Sequence, residues 1–241
     1  MAWNFGVQIN SLTGFDGNDE GASEEGENHV VLASQWLTDA AREIIAILPD
    51  KLKQKCATVT PLSNSPTTMD LDGVGDILQV TRKSASDGYF IACRQVHPMH
   101  GDLTNDANSI YYATVTDPAY WITSRIGDSS DTADNDAGTL FVKPTPTSSQ
   151  TANVYHVAYP SIDHADTVIA NFPDEAEYLV VLRASMTAVE YKMSTEEDVD
   201  LYGPILKNLN TLYQQGVYSL KTGNFAAPSK DVRIATKGEK E

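Results

Sequence analysis

The stretch GTLFVKPTPTSSQTANVYHVAYP, residues 138–160, decides how the centre of this chain folds. It reads as two strands separated by a loop, because proline has no backbone N–H to donate to a strand ladder. In the second strand two sets of side chains alternate, which predicts that they face opposite sides of a sheet. One set is Tyr155, Val157 and Tyr159, and the other is Val154, His156 and Ala158.

The residues before this stretch continue the β pattern. The turn sequence SASDG contains Asp87-Gly88, which is a strong hairpin signal between two short apolar runs. Strands are predicted at residues 77–80, 89–93, 109–115 and 120–126. Together with residues 138–142 and 154–159 they predict a β section that covers residues 57–160.

Helical periodicity lies on both sides of the β section. Apolar residues recur every three or four positions from Leu32 to Leu48, which indicates a core-facing helix within residues 29–55. Two further helices are predicted over residues 173–221 and, with almost no loop between them, they should form an antiparallel hairpin. Ser194 and Glu197 fit a capping box at the start of the second helix. Gly216 or Gly223 is expected to end it.

These patterns predict an α+β fold. Its α-helical bundle consists of the N-terminal amphipathic helix and the C-terminal helix hairpin, with a β-rich central section and an extended C-terminal tail. We expect a single domain over residues 1–223 and a tail over residues 224–241, where no periodicity remains.

The N-terminus has a different pattern. Trp3, Phe5, Val7 and Ile9 alternate with polar or small residues, which predicts a half-buried strand. One strand is not stable alone, so it would pair with a sheet of this chain or of a neighbouring subunit. These four residues are therefore candidate interface residues. Residues 16–28 follow as an acidic segment with no basic side chain, predicted to be a solvated loop.

Charge and cysteine content limit the classes of function. The net charge of −16 argues against a surface that binds nucleic acid tightly, because phosphate binding needs clustered Lys and Arg. From Lys221 onward the balance reverses, with five basic and three acidic residues. The two cysteines indicate reduced core thiols. No apolar run is long enough to cross a bilayer, and the first residues lack signal-peptide features, so we expect a cytoplasmic product.

No motif for an enzyme stands out. The best metal candidate is HPMHGD, which contains His97, His100 and Asp102, but its proline and glycine favour a turn. The acidic stretches at residues 128–138 and 70–76 imitate only part of a calcium loop. We predict no cofactor, no bound metal and no catalytic residue. A small metal-dependent hydrolase that uses the two histidines and Asp102 is the alternative from another class.

The order of elements resembles a known family. The chain has a helix ending in LPDKL, a β section with ILQV and DPAYWI, and an L-F-V-x-P-x-P strand. A VYHVAYP strand follows, and the helix pair AEYLVVLRASMTAVEYKMSTEEDVDLYGPILKNLNTLYQQG closes the pattern. Over roughly residues 29–216 this is similar to the head-to-tail adaptor (connector) proteins of tailed bacteriophages.

The resemblance implies a structural virion protein at the neck of the particle. It implies an α-helical bundle with a β-rich insertion, assembled as a twelve-membered ring between the portal protein and a downstream tail or tail-nozzle protein. DNA would pass through without specific binding, no membrane would take part, and assembly would occur in the host cytoplasm. Another neck or tail component, such as a tail-completion or tail-tube protein, remains an alternative.

The resemblance also implies two groups of contact residues. The tail would reach the portal, with Phe225, Lys230, Val232, Arg233, Ile234 and Lys237 as its portal-binding residues. The loop that contains Pro144 and Pro146 would project toward a neighbouring subunit or the tail, and these prolines join the N-terminal residues as candidate interface residues.

Overall fold

A computed structural model describes residues 3–15, 29–84, 88–123, 138–196 and 199–222. The fold is mixed α+β, as predicted. The chain divides into two compact units, which we describe separately. The helical unit combines residues 1–50 with residues 160–241, and the β unit comprises residues 51–159. Within the described residues no helix is both long enough and apolar enough to span a membrane.

The described part of the helical unit is built from α1 (Phe5–Thr13), α2 (His29–Ile47), α4 (Asp174–Glu196) and α5 (Val199–Thr222). The short α3 (Asp50–Lys53) follows α2. Helix α4 is central, since it contacts α1, α2 and α5. At 100° per residue its buried apolar side chains lie on every side of the helix. They are Ala176, Leu179, Val180, Val181, Leu182, Ala184, Ala188 and Val189.

The N-terminal strand prediction is wrong, because residues 5–13 form α1. Asn4 caps the helix by accepting a hydrogen bond from the Val7 N–H at 2.8 Å, and Gly14 ends it in the left-handed region at φ 70°. Phe5 and Ile9 are four residues apart and share the buried face, whereas Trp3 and Val7 are exposed. Over so few residues the same apolar positions fit both the alternation of a strand and the spacing of a helix. The caps at Asn4 and Gly14 favour the helix.

The junction between α4 and α5 also differs from the prediction. Ser194 lies inside α4 and does not cap α5, which begins at Val199. The neighbouring Thr195 hydroxyl donates to the Tyr191 carbonyl at 3.1 Å, so this turn satisfies its hydroxyl group within α4. Gly216 is buried inside α5, which ends at Thr222, next to the alternative predicted end at Gly223.

The described residues of the β unit form two four-stranded sheets. The first sheet has the order β1-β8-β3-β4, and the second has the order β2-β7-β6-β5. The strands are β1 (Ala57–Leu62), β2 (Thr68–Asp70), β3 (Val74–Lys83), β4 (Phe90–Ala92), β5 (Arg94–Gln95), β6 (Ala119–Thr123), β7 (Thr139–Lys143) and β8 (Ala152–Ala158). All pairs are antiparallel except β5 with β6.

The two strands of the stretch at residues 138–160 belong to different sheets. Strand β7 is an inner strand of the second sheet, and β8 is an inner strand of the first. The loop between β7 and β8 therefore carries the chain from one sheet to the other. Residues from both sheets pack in one apolar core. The core residues are Leu62, Met69, Val80, Leu140, Val142, Ala152 and Val154.

Two other strand predictions have different outcomes. The predicted hairpin is confirmed, with Thr81 opposite Ala92 and Lys83 opposite Phe90. Residues 109–115 form no strand but a series of turns, in which the Tyr112 N–H donates to the Ser109 carbonyl and the Ala113 N–H to the Thr104 carbonyl. These backbone groups are therefore satisfied locally and are not used in a sheet.

Candidate functional site

A buried arginine holds the loop between β7 and β8. Arg82 on β3 is 2% exposed. Its Nε donates to the Pro144 carbonyl at 2.7 Å, and its Nη2 donates to Gln150 Oε1 at 3.0 Å. The same nitrogen donates to the Thr145 carbonyl at 3.4 Å, and Nη1 donates to the Lys83 carbonyl at 3.1 Å. All four acceptors are neutral, and burial lowers the pKa of Arg82.

This contact determines which part of the loop a partner could reach. Pro146 is buried and Pro144 is half-buried, whereas Thr145 and residues 147–149 are exposed. The Thr147 and Gln150 backbones bond to each other and fix the tip. The predicted interface role of the two prolines stays a prediction. The surface that the loop offers consists of uncharged hydroxyl residues.

The two thiols of the β unit stay protonated near neutral pH. Burial raises the pKa of Cys93 to about 12, although the nearby Arg82 charge acts in the opposite direction. Burial likewise raises the pKa of Cys56 to about 11. The reactive form of cysteine is the thiolate, so neither side chain is set up as a nucleophile near neutral pH.

The HPMHGD sequence forms a packed turn. Its residues Pro98–His100 form a short 3₁₀ helix, and a second one, Asp102–Asn105, begins at its last residue. His97 Nδ1 accepts from the Met99 N–H at 3.3 Å, and the His100 ring stacks on Tyr111 with centroids 4.4 Å apart. Among the described residues, no group of three or more His, Cys, Asp or Glu side chains could hold a metal ion. The two rings therefore cap and pack the turn in this arrangement.

The acidic stretch at residues 70–76 is also occupied by local contacts. Asp70 Oδ1 accepts from the Asp72 N–H at 3.2 Å, and the Asp76 carboxylate pairs with Lys53 Nζ at 2.6 Å. Gly73 supports the turn at φ 65°. The carboxylates thus form a turn and an ion pair. The other acidic stretches, residues 16–28 and 124–137, lie outside the described residues.

The turn segment of residues 97–112 presents apolar side chains to solvent. Met99 is 82% exposed and Ile110 is 89% exposed. The segment is well anchored, because Arg94 Nη2 donates to the Tyr111 carbonyl at 2.8 Å and its Nε donates to Asp117 at 2.9 Å. Both side chains are therefore accessible to another molecule, on a segment whose backbone is held in place.

Only half of the predicted N-terminal contact residues are available to a partner. Phe5 and Ile9 are buried in the helical unit, while Trp3 is 61% and Val7 is 37% exposed. The Phe5 N–H donates to the Asp166 carbonyl at 2.9 Å, which fixes the start of α1. All six predicted portal-binding residues lie in the tail, outside the described residues.

No protein-family model matches the chain, and a search of curated proteins finds no match. A proposal of function therefore rests on the geometry within each unit and on the resemblance in element order.

Sequence reasoning missed Arg82, which organises the crossover between the sheets. A single signal for it exists in the sequence, a lone arginine at the end of the apolar run ILQVTR. That position is indistinguishable from a solvent-facing strand end until the pairing of β3 with β8 is known.

Proposed function

We propose that this protein is a structural virion protein, a head-to-tail adaptor that forms a ring between the portal and the tail. The observation that supports this most directly is the discontinuous helical unit. The β unit is inserted between α2 and α4, so the helical unit is completed only by the C-terminal helix pair. A helical bundle with a β-rich insertion is the arrangement that the resemblance to adaptors implies.

The exposed surface fits a protein that binds other proteins. Apolar side chains are exposed on anchored elements of both units, at Trp3 and Val7 in one and at Met99 and Ile110 in the other. Within the part of the chain that the structure describes, the two HPMHGD histidines and the carboxylates of Asp70 and Asp76 are engaged in local contacts. These features favour assembly contacts over a chemical site.

The charge suits passage of DNA. Twelve copies at −16 each carry −192, so a ring of this protein would expose many carboxylates toward its lumen and rims. Carboxylates repel phosphate, and DNA would slide through without being held. The basic tail, with Lys230, Arg233 and Lys237, is the part suited to an acidic surface on the portal.

The test is to measure the mass and symmetry of the full-length protein, alone and mixed with its portal. A twelve-membered ring of 26.2 kDa subunits has a mass of about 314 kDa. We expect this ring on the portal in native mass spectrometry and in negative-stain images. A protein that stays monomeric both alone and with portal would contradict the proposal. Binding to the tail tube but not to the portal would indicate a different neck component.

A deletion separates ring formation from portal attachment. Removal of residues 224–241 should leave the ring intact and abolish its attachment to the portal. The matched control replaces Phe225, Val232 and Ile234 with serine and keeps every charge. If the apolar anchors contribute, this control also weakens attachment. Normal attachment by the deletion variant would contradict the role of the tail.

A further inference from the structure

Helix α5 is unusually poor in charge. Residues 201–220 contain one charged side chain, Lys207. At the chain's average of 21% charged residues, a stretch of this length would have about four. In a protein with a net charge of −16, most of these would be acidic. A long helix without a single carboxylate over these residues therefore stands apart from the rest of the surface.

One side of α5 is used within the chain. Five residues of this side are buried, namely Tyr202, Leu209, Tyr213, Gly216 and Leu220. Through this side α5 packs on α4, and Tyr213 also forms a side-chain hydrogen bond with Glu43 of α2. A Cβ on Gly216 would lie 2.5 Å from Leu179 Cδ2 and from Tyr178 Oη, so the two helices approach closely at this point.

A second apolar stripe runs beside the buried side. Leu201 is 56% exposed, Leu212 is 42% exposed and Ile205 is half-buried. Their separations of four and seven residues place them on one side of a helix with 3.6 residues per turn. We call these three residues the outer stripe.

The positions that flank the outer stripe are neutral. They are Pro204, Asn208, Thr211, Gln215 and Ser219. Lys207 lies on another side of the helix, since six positions from Leu201 correspond to roughly 120° of rotation away from the stripe. The outer stripe is therefore an exposed apolar surface with neutral borders, which is the composition of the core of a protein–protein contact.

We propose that the outer stripe of α5 is a contact surface for a second copy of this chain. The inference rests on the proposed ring function and specifies which surface joins its subunits. Two chains of −16 repel each other, and the repulsion is least where the approaching face bears no carboxylate. The four- and seven-residue spacing also suits helix packing in which side chains interdigitate. The outer stripe has no Lys or Arg that could bind nucleic acid, and it has no Asp or Glu that could bind a basic protein.

The experiment compares two double variants of the full-length protein. Leu201→Asp with Leu212→Asp places two carboxylates in the outer stripe. The matched control is Val199→Asp with Tyr218→Asp, because these residues are 58% and 70% exposed on other sides of the same helix. Sedimentation velocity over a concentration series gives the association constant of each protein, and the melting temperature of each variant checks that it is folded.

We expect the outer-stripe variant to lose association by at least about 100-fold, since buried charge in an interface core is costly, while the control stays within about threefold of the parent. If the parent assembles and the outer-stripe variant assembles equally well, the inference is wrong and the ring proposal stands. If the parent does not assemble alone or on the portal, the ring proposal fails, and the inference fails with it.

Discussion

The helical unit and the β unit are stabilised by different kinds of interaction. In the helical unit the central helix α4 is surrounded by apolar contacts, and its ion pair between Arg183 and Glu43 lies near the surface with side chains 29% and 47% exposed. In the β unit a guanidinium is 2% exposed, beside an apolar core. Helices satisfy their own backbone groups, whereas a loop that crosses between two sheets leaves carbonyls without partners. Arg82 supplies the missing donors.

The largest effect should come from removing that donor. Arg82→Leu would leave the Pro144 and Thr145 carbonyls and Gln150 Oε1 without their partner. The Pro144 carbonyl and Gln150 Oε1 are part-buried and would each cost about 1–3 kcal/mol when left unsatisfied, so we expect the free energy of unfolding to fall by about 3–4 kcal/mol. Urea denaturation followed by circular dichroism measures this change.

Arg94→Leu is the control for the arginine variant. Arg94 also bonds to loop carbonyls, at Tyr111 and Tyr112, but its side chain is 31% exposed. Water can replace it, and we expect a loss of about 1 kcal/mol. Equal losses for the two variants would show that burial of Arg82 is not what distinguishes the β unit.

The second test concerns apolar packing in the helical unit. Phe5 is 2% exposed, and Phe5→Ala should lower the free energy of unfolding by about 3 kcal/mol through lost burial and a cavity. Trp3→Ala, at a position 61% exposed, should change it by under about 0.5 kcal/mol. A larger effect at Trp3 than at Phe5 in chemical denaturation would contradict the orientation of α1.

A smaller effect is expected where α4 and α5 approach most closely. Gly216→Ala must displace Leu179 and Tyr178, and we expect a net loss of about 1–2 kcal/mol after the gain in helix propensity. Gly203→Ala is the control, because a methyl group at Gly203 in the same helix would meet nothing within 4 Å. The ring of Pro204 offsets its helix gain, and thermal denaturation should show a change within about 0.5 kcal/mol. Stabilisation by Gly216→Ala would mean that the helices can separate without loss.

The smallest effect is a pH dependence of stability that comes from a thiol of the β unit. The raised pKa of Cys93, about 12, means that the folded unit keeps its thiol proton while an unfolded thiol loses it near pH 8.5. The contribution of Cys93 to the free energy of unfolding is therefore fully present below about pH 8.5. It is lost progressively as the pH rises toward the folded-state pKa of about 12. Between pH 7.5 and 9 this residue should contribute a loss under about 1 kcal/mol.

The measurement is urea denaturation of the parent and of Cys93→Ser across that pH range. The serine variant does not ionise there, so its stability should fall less steeply with pH than that of the parent. Parallel pH profiles for the two proteins would show that Cys93 does not have a raised pKa in the folded state.

Within the helical unit, predictability differs from one helix to another. The stripe from Leu32 to Leu48 predicts α2 because every residue that defines its buried face lies within a few turns. The alternation from Trp3 to Ile9 misled because it fits a strand and a helix equally well, and the caps at Asn4 and Gly14 decide between them. A glycine late in a helical pattern predicts a helix end, but Gly216 lies inside α5. The close approach of Leu179, which explains this glycine, cannot be read from the sequence because the two residues lie far apart in the chain.

The β unit and the candidate contact surfaces were less predictable. The strands around residues 138–160 were identified from alternation, but membership of two sheets depends on pairing partners up to about 100 residues apart. The exposure of Met99 and Ile110 depends on how residues 97–112 fold back on themselves. The scarcity of charge over residues 201–220 is visible in the sequence, but the division of these residues into a buried side and an outer stripe requires the position of α4.

The insertion of the β unit has a consequence for synthesis of the chain. Helices α1 and α2 leave the ribosome first, but α4, the helix on which both of them pack, follows only after the whole β unit has been made. At about 5–20 residues per second, the roughly 125 residues between α2 and α4 take roughly 6–25 s to translate. During that interval the apolar side chains of Phe5, Ile9 and Leu37 are not yet covered by α4. The nascent chain is therefore a natural client for a holding chaperone, and early stops within the β unit should yield insoluble fragments.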